Sequence, residues 1–228
     1  MDALNLIIAL VLYGILEAVL RIGVFAYFAG WKHVSWKLAS PHISMLVSPS
    51  YWLARNCKLI NPPGFKRVAL RARLIANYNL WNLLLSTIIF VAVAATEHEG
   101  YGPFGISVAL IVWRSISRSF EIAIAFGIDI TTSRNASKLP NEARMKLALR
   151  SYLEIFLFSA ALYSVTSLKS ENISVSVLAS LYVSTLTNVS YAADKLQIAN
   201  LFFLQVFATL SLIVLSIAGY LGRVKRSR

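Results

Sequence analysis

Between Trp113 and Asp129 the chain reads WRSISRSFEIAIAFGID. Arg114 and Arg118 are four residues apart, and Glu121 follows Arg118 by three, so all three reach one another along one side of a helix. Apolar residues surround them. If this helix crosses a bilayer, Arg114 lies near mid-depth, where a charged side chain faces the protein interior and needs a partner. Arg114, Arg118 and Glu121 therefore read as an intramembrane charge network, supporting or gating in role. Two arginines at a four-residue interval do not make a voltage sensor of the channel type. A second pair, Glu17 and Arg21, stands at i,i+4 in another apolar run, where each side chain neutralises the other.

The remaining residues capable of chemistry are few. His33, His42 and His98 are scattered over different loops and form no metal set. Cys57 is a single cysteine without zinc-type neighbours. There is no HExxH, nucleophile elbow or phosphate-binding glycine loop. The reading is therefore not an enzyme, with no metal and no cofactor. One polar feature remains, the stretch TLTNVSYAAD from Thr185 to Asp194, set between apolar segments.

The elements around these residues belong to a membrane protein. Apolar residues make up 57% of the 228 positions, and mean hydropathy is +0.65, above the usual range for soluble domains. A spanning helix needs roughly 20 mostly apolar residues. Five segments qualify: Leu4 to Gly30, Leu80 to Thr96, Phe104 to Ile130, Leu149 to Leu168 and Leu196 to Gly222. The first lacks a basic leader and is too long for a signal-peptide core, so it reads as retained. The expected fold class is an all-α integral membrane protein with about five transmembrane helices and a short re-entrant helix near the carboxyl terminus.

Charge supplies the direction. Of 22 basic residues, 17 fall in Trp31 to Asn79, Thr131 to Arg150 and the tail after Gly222. Short basic loops stay in the cytoplasm, which puts the amino terminus outside and the carboxyl terminus inside. The net charge of +12 then reflects topology and contact with anionic lipids at the cytoplasmic face, and not nucleic acid. Within the first basic loop, SMLVSPSYWLA has the look of an interfacial helix or hairpin.

Ser174 to Leu186 is apolar but only 13 residues long, about 20 Å as a helix. It cannot cross, and its flanking spans run in opposite directions. It must enter and leave on the outer face, with TNVSYAAD buried in an assembly or lining water. In the last span, Gln205, Thr209 and Ser216 fall within about 40° of one another and form a polar stripe able to face a wet cavity.

Outer helix, short helix, polar stretch and long inner helix resembles the tetrameric potassium-channel pore family. In SLYVSTLTNVSYAAD, Thr185, Leu186 and Thr187 stand where that family has Thr-Leu-Thr. Thr187, Asn188, Val189, Ser190 and Tyr191 then form the filter-like segment, and both filter glycines are replaced, by Ser190 and Ala192. The resemblance covers residues 149–222 and implies a homo-oligomer, a tetramer, conducting monovalent cations with weak discrimination. A different reading stands beside it: a non-conducting, pore-like membrane scaffold or interaction subunit. The organisation implied is an N-terminal membrane region at 1–148, a pore-like module at 149–222 and a basic tail at 223–228.

Overall fold

The computed structural model describes residues 3–33, 48–60, 66–98, 105–131, 139–166, 173–195 and 201–224. These form eight α-helices and one short 3-10 turn: α1 (Ala3–Ala29), the turn (Trp31–His33), α2 (Pro49–Leu59), α3 (Arg67–His98), α4 (Gly105–Thr131), α5 (Asn141–Thr166), α6 (Ile173–Thr185), α7 (Val189–Lys195) and α8 (Leu201–Val224). The fold is all-α among the described residues.

Local chemistry sets the helix ends. Gly30, at φ 86°, donates its N–H to the Ala26 carbonyl at 2.8 Å and closes α1 in the left-handed conformation that glycine tolerates. Ser48 caps α2 by accepting from the Tyr51 N–H at 3.3 Å, and Pro49 follows at the first helical position.

Among the described residues, three helices are long and apolar enough to cross a membrane: Leu4–Ala29, Val68–Thr96 and Glu142–Thr166. They correspond to the first, second and fourth expected spans. The second is longer than expected, because the basic residues before Leu80 continue the same helix. Helix α4 has the length, 27 residues, but its buried charges lower its apolarity. The apolar part of α8 among the described residues is the shorter Phe202–Val214. Exposed Leu4, Ile7, Val11, Ile15 and Val19 make a continuous uncovered stripe on α1, as a lipid-facing helix requires.

Side-chain contacts fix the relative directions. Glu17 and Arg21 of α1 meet Arg114 and Glu121 of α4, in that order, so these helices are parallel. Tyr78 bonds the Arg21 carbonyl, while Asn82, further along α3, bonds the Arg114 that meets Glu17, so α3 runs against α1. Asn79 bonds Ser151 at 2.8 Å, while Val93, further along α3, packs with Phe158 and Leu162, further along α5. Those two helices are parallel. Tyr163 and Ile155 of α5 meet Gln205 and Leu212 of α8, which reverses direction again. Helices α1, α4 and α8 thus point one way, and α3 and α5 the other.

The two short helices tuck between these. Trp52, Leu53, Ala54 and Cys57 of α2 are buried. The helix therefore lies within the bundle and not on its surface, which corrects the interfacial reading of this segment. Residues 44–47 of that motif lie outside the described residues. Helix α6 runs antiparallel to α5, its register set by the Ser180 hydroxyl donating to the Phe156 carbonyl at 2.8 Å.

Candidate functional site

The charges read from the sequence meet at the centre of the bundle, in a larger assembly than expected. Arg114 Nη1 bonds Glu17 Oε1 at 2.5 Å, and the other oxygen of Glu17 accepts from Arg21 Nε at 3.1 Å. Arg21 Nη2 donates to both oxygens of Glu121, at 3.1 and 2.9 Å. Glu121 Oε2 lies 2.6 Å from Arg118 Nη1. Arg118 then grips Glu154 with two bonds, Nε to Oε1 at 2.7 Å and Nη2 to Oε2 at 2.5 Å. The order is Arg114, Glu17, Arg21, Glu121, Arg118, Glu154: an alternating chain of six charges that sums to zero. None is more than 8% exposed.

Physical necessity shapes this chain. A lone buried ion loses several kcal/mol of hydration, and a partner compensates only with good geometry and additional hydrogen bonds. Helices α1, α4 and α5 contribute the charges, and α2 and α3 add neutral contacts. Asn82 Oδ1 accepts from Arg114 Nη2 at 3.1 Å, and the Ser50 hydroxyl donates to Glu121 Oε2 at 2.6 Å. The Arg21 guanidinium stacks 4.6 Å from the Tyr78 ring centre, while the Tyr78 hydroxyl donates to the Arg21 carbonyl at 3.0 Å. Ser48, Ser50 and Ser117 form a hydroxyl cluster beside Glu121, with oxygens 3.1 to 3.4 Å apart.

Arg114, Arg118 and Glu121 are therefore brought together, joined to Glu17 and Arg21, which the sequence had placed in a separate pair. Glu154 was missed. It is an acid inside the expected span 149–168, and the rule that singled out the arginines would also have found it. Asn82, Ser48, Ser50 and Ser117 carried no comparable signal, since small polar residues also serve helix packing.

The filter-like segment takes another form. Helix α6 ends in a Schellman cap: Leu186 N–H donates to the Val183 carbonyl at 3.2 Å and Thr187 N–H to the Tyr182 carbonyl at 3.0 Å. Leu186 itself sits at φ 57°, left-handed without being glycine. Asn188 then caps α7, its Oδ1 accepting from Tyr191 N–H at 3.3 Å and Ser190 Oγ at 2.9 Å. Val189, Ser190 and Tyr191 consequently lie in a helix, whose carbonyls run along its axis. The segment is helical because the residues that replace glycine favour helix, and Asn188 supplies the cap that starts it. Tyr191 stacks edge-on against Tyr182 with ring centres 5.3 Å apart, and Ala192 is buried among Tyr163, Val183 and Phe202. Thr185, Thr187, Asn188 and Ser190 remain exposed.

Two of the three residues read as cavity lining are inside the chain. Gln205 accepts from the Tyr163 hydroxyl at 2.5 Å and donates to Ser180 Oγ and its carbonyl, both at 3.0 Å, and to Ser184 Oγ at 2.7 Å. Its hydrogen-bonding capacity is directed at α5 and α6, so it pins the short helix to its two long neighbours instead of facing an open axis. Thr209 is also buried. The side chain of Ser216 lies outside the described residues.

Among the described residues no group of three His, Cys, Asp or Glu side chains is placed to hold a metal ion. Comparison with protein-family models, curated proteins and solved structures finds no match for the chain.

Proposed function

We propose that this chain is an integral membrane protein of five crossing helices that assembles around its α6–α7 hairpin to form a pathway for monovalent cations. The observation that carries the reading is the depth of an exposed polar turn. Ser180 is level with Phe156 of α5, and Thr185 lies five residues beyond, about 7.5 Å deeper. The turn at residues 185–190 is then roughly 20 Å from the Thr166 end of α5, deep inside a hydrocarbon layer of about 30 Å. Irregular backbone at that depth must be covered by protein or must line water, yet Thr185, Thr187, Asn188 and Ser190 are exposed on the single chain.

In this reading the turns of several copies, four by the resemblance, surround a common axis. Side-chain oxygens of Thr187, Asn188 and Ser190 form the constriction in place of stacked carbonyls, so potassium and sodium pass with little discrimination. The amino terminus is outside and the carboxyl terminus cytoplasmic, with anionic lipids around the basic ends of α3 and α5. The charge chain holds α1, α4 and α5 as the frame.

A second reading, a non-conducting scaffold with the same hairpin, is favoured by the helical Val189–Lys195 segment and by the internal bonding of Gln205. Flux of potassium and sodium through liposomes containing the purified protein separates the two. The pathway reading expects flux that Asn188→Leu abolishes. A cross-linkable oligomer without flux establishes the scaffold, and flux persisting in Asn188→Leu refutes a constriction at the turn.

A further inference from the structure

Helix α2 reaches the middle of the bundle by its amino-terminal end. The Ser48 hydroxyl donates to the Ser117 carbonyl at 2.8 Å, and Ser117 stands midway along the 27 residues of α4. Two residues later, Ser50 donates to Glu121. From there α2 runs about 16 Å back towards the bundle end where Ala29, Ile60 and Leu70 share one cluster. It is a second half-length helix, inserted from the face opposite α6. Its positive end meets a carboxylate, a favourable pairing of helix dipole and charge.

The seat is not fully satisfied. Asn56 Nδ2 on α2 is buried without a hydrogen-bond partner, and the buried Tyr13 hydroxyl of α1 lies beside Ser50 and Ser117. Unmet buried polar groups raise the energy of the docked arrangement. Arg21 and Arg118 also compete with Ser50 for Glu121 Oε2. The attraction holding α2 is thus shared with the charge chain.

We propose that α2 is a latch: a half-membrane helix seated by the Glu121 carboxylate, whose withdrawal opens the Ser48, Ser50 and Ser117 cluster to water from the bundle end at which His33 and Lys66 lie. Shifting α4 against α1 alters how Glu121 divides itself among Arg21, Arg118 and Ser50, and so alters the seat. The inference requires the membrane embedding but not conduction, and it holds equally for a protein that passes no ions.

The test is thiol labelling in vesicles with a membrane-impermeant maleimide applied to that face, in a Cys57→Ala background. Arg55 is exposed on α2, so Arg55→Cys is the fast-labelling reference. The Ser48→Cys thiol is expected to label at least tenfold more slowly than that reference. Adding Glu121→Gln raises its rate by tenfold or more, and adding Ser50→Ala raises it by less, which keeps the test available if the Gln variant does not fold. The Ser48→Cys, Ser117→Cys pair, once oxidised to a disulfide, should keep Arg55→Cys reactive while holding the helix in place. Labelling of Ser48→Cys as fast as the reference in the parent background would mean that α2 is never seated. A slow rate that neither Glu121→Gln nor Ser50→Ala alters would make it a fixed structural helix, and either result overturns the latch.

Discussion

Removing Arg118 should be rescued by one glutamate replacement and not by another, although both restore the same net charge. Arg118 holds Glu154 by two bonds and touches Glu121 by one. In Arg118→Gln, Glu154 is left buried with no arginine against it, while Glu121 retains Arg21. Breaking a buried pair on one side costs about 3–5 kcal/mol. Adding Glu154→Gln leaves Arg114, Glu17, Arg21 and Glu121 as an intact neutral chain of four, so at least about 2 kcal/mol should be recovered. Adding Glu121→Gln also gives a zero sum, but it divides the network into a net-positive Arg114, Glu17, Arg21 group and an isolated Glu154. No recovery is expected there. Reversible unfolding in mixed micelles, read by circular dichroism, compares the parent with all three variants. Equal stability of the two double variants would refute the alternating order and leave only nearest-neighbour pairing within α4.

Leu186→Gly should stabilise the protein by about 1 kcal/mol, because the residue sits at φ 57° where a side chain is strained; Leu186→Ala should not, and the same unfolding assay compares them. Gln205→Leu should cost about 3 kcal/mol by stranding the Tyr163 hydroxyl and the α6 serines, and proteolysis should then cut first within residues 173–195. A reporter fused after Arg228 should be cytoplasmic while a tag at Met1 is accessible from outside; a periplasmic or extracellular signal from Arg228 would overturn the five-crossing arrangement.

The sequence made some parts of this structure legible because one physical constraint dominated them. Apolar length marks α1, α3 and α5 as helices able to cross a membrane, since hydrocarbon thickness sets the length required. The 13-residue α6 appears within one residue of its expected place because no alternative length fits between its neighbours. Arg114, Arg118 and Glu121 announced a polar interior through cost alone. What stayed hidden depended on which helix stands beside which. Glu17 and Glu121 are separated by 104 positions, and nothing in the spacing says that Arg21 lies between them. Gln205 was read as facing water because its polarity says only that lipid is excluded; the serines of α6 that satisfy it come from a neighbour whose packing has no sequence period. The segment from Asn188 to Tyr191 reads by resemblance as a re-entrant polar loop, yet Asn188 followed by ordinary helix formers is a local helix start. In α2, Ser48 and Pro49 were equally readable as a cap, but the depth at which that cap docks was not.

In the five-crossing arrangement proposed above, the alternating chain also constrains how the protein is made. Among its six members, α1 brings one of each sign and is neutral by itself, so it can enter lipid as soon as it is synthesised. Helix α4 brings two arginines and one glutamate, and its surplus positive charge has no complement until Glu154 arrives on α5. Between those moments the nascent α4 is a poor occupant of the bilayer and a good occupant of the polar channel of the insertion machinery. The order of charges along the polypeptide therefore favours release of α4 and α5 into the membrane together, as a parcel already neutralised.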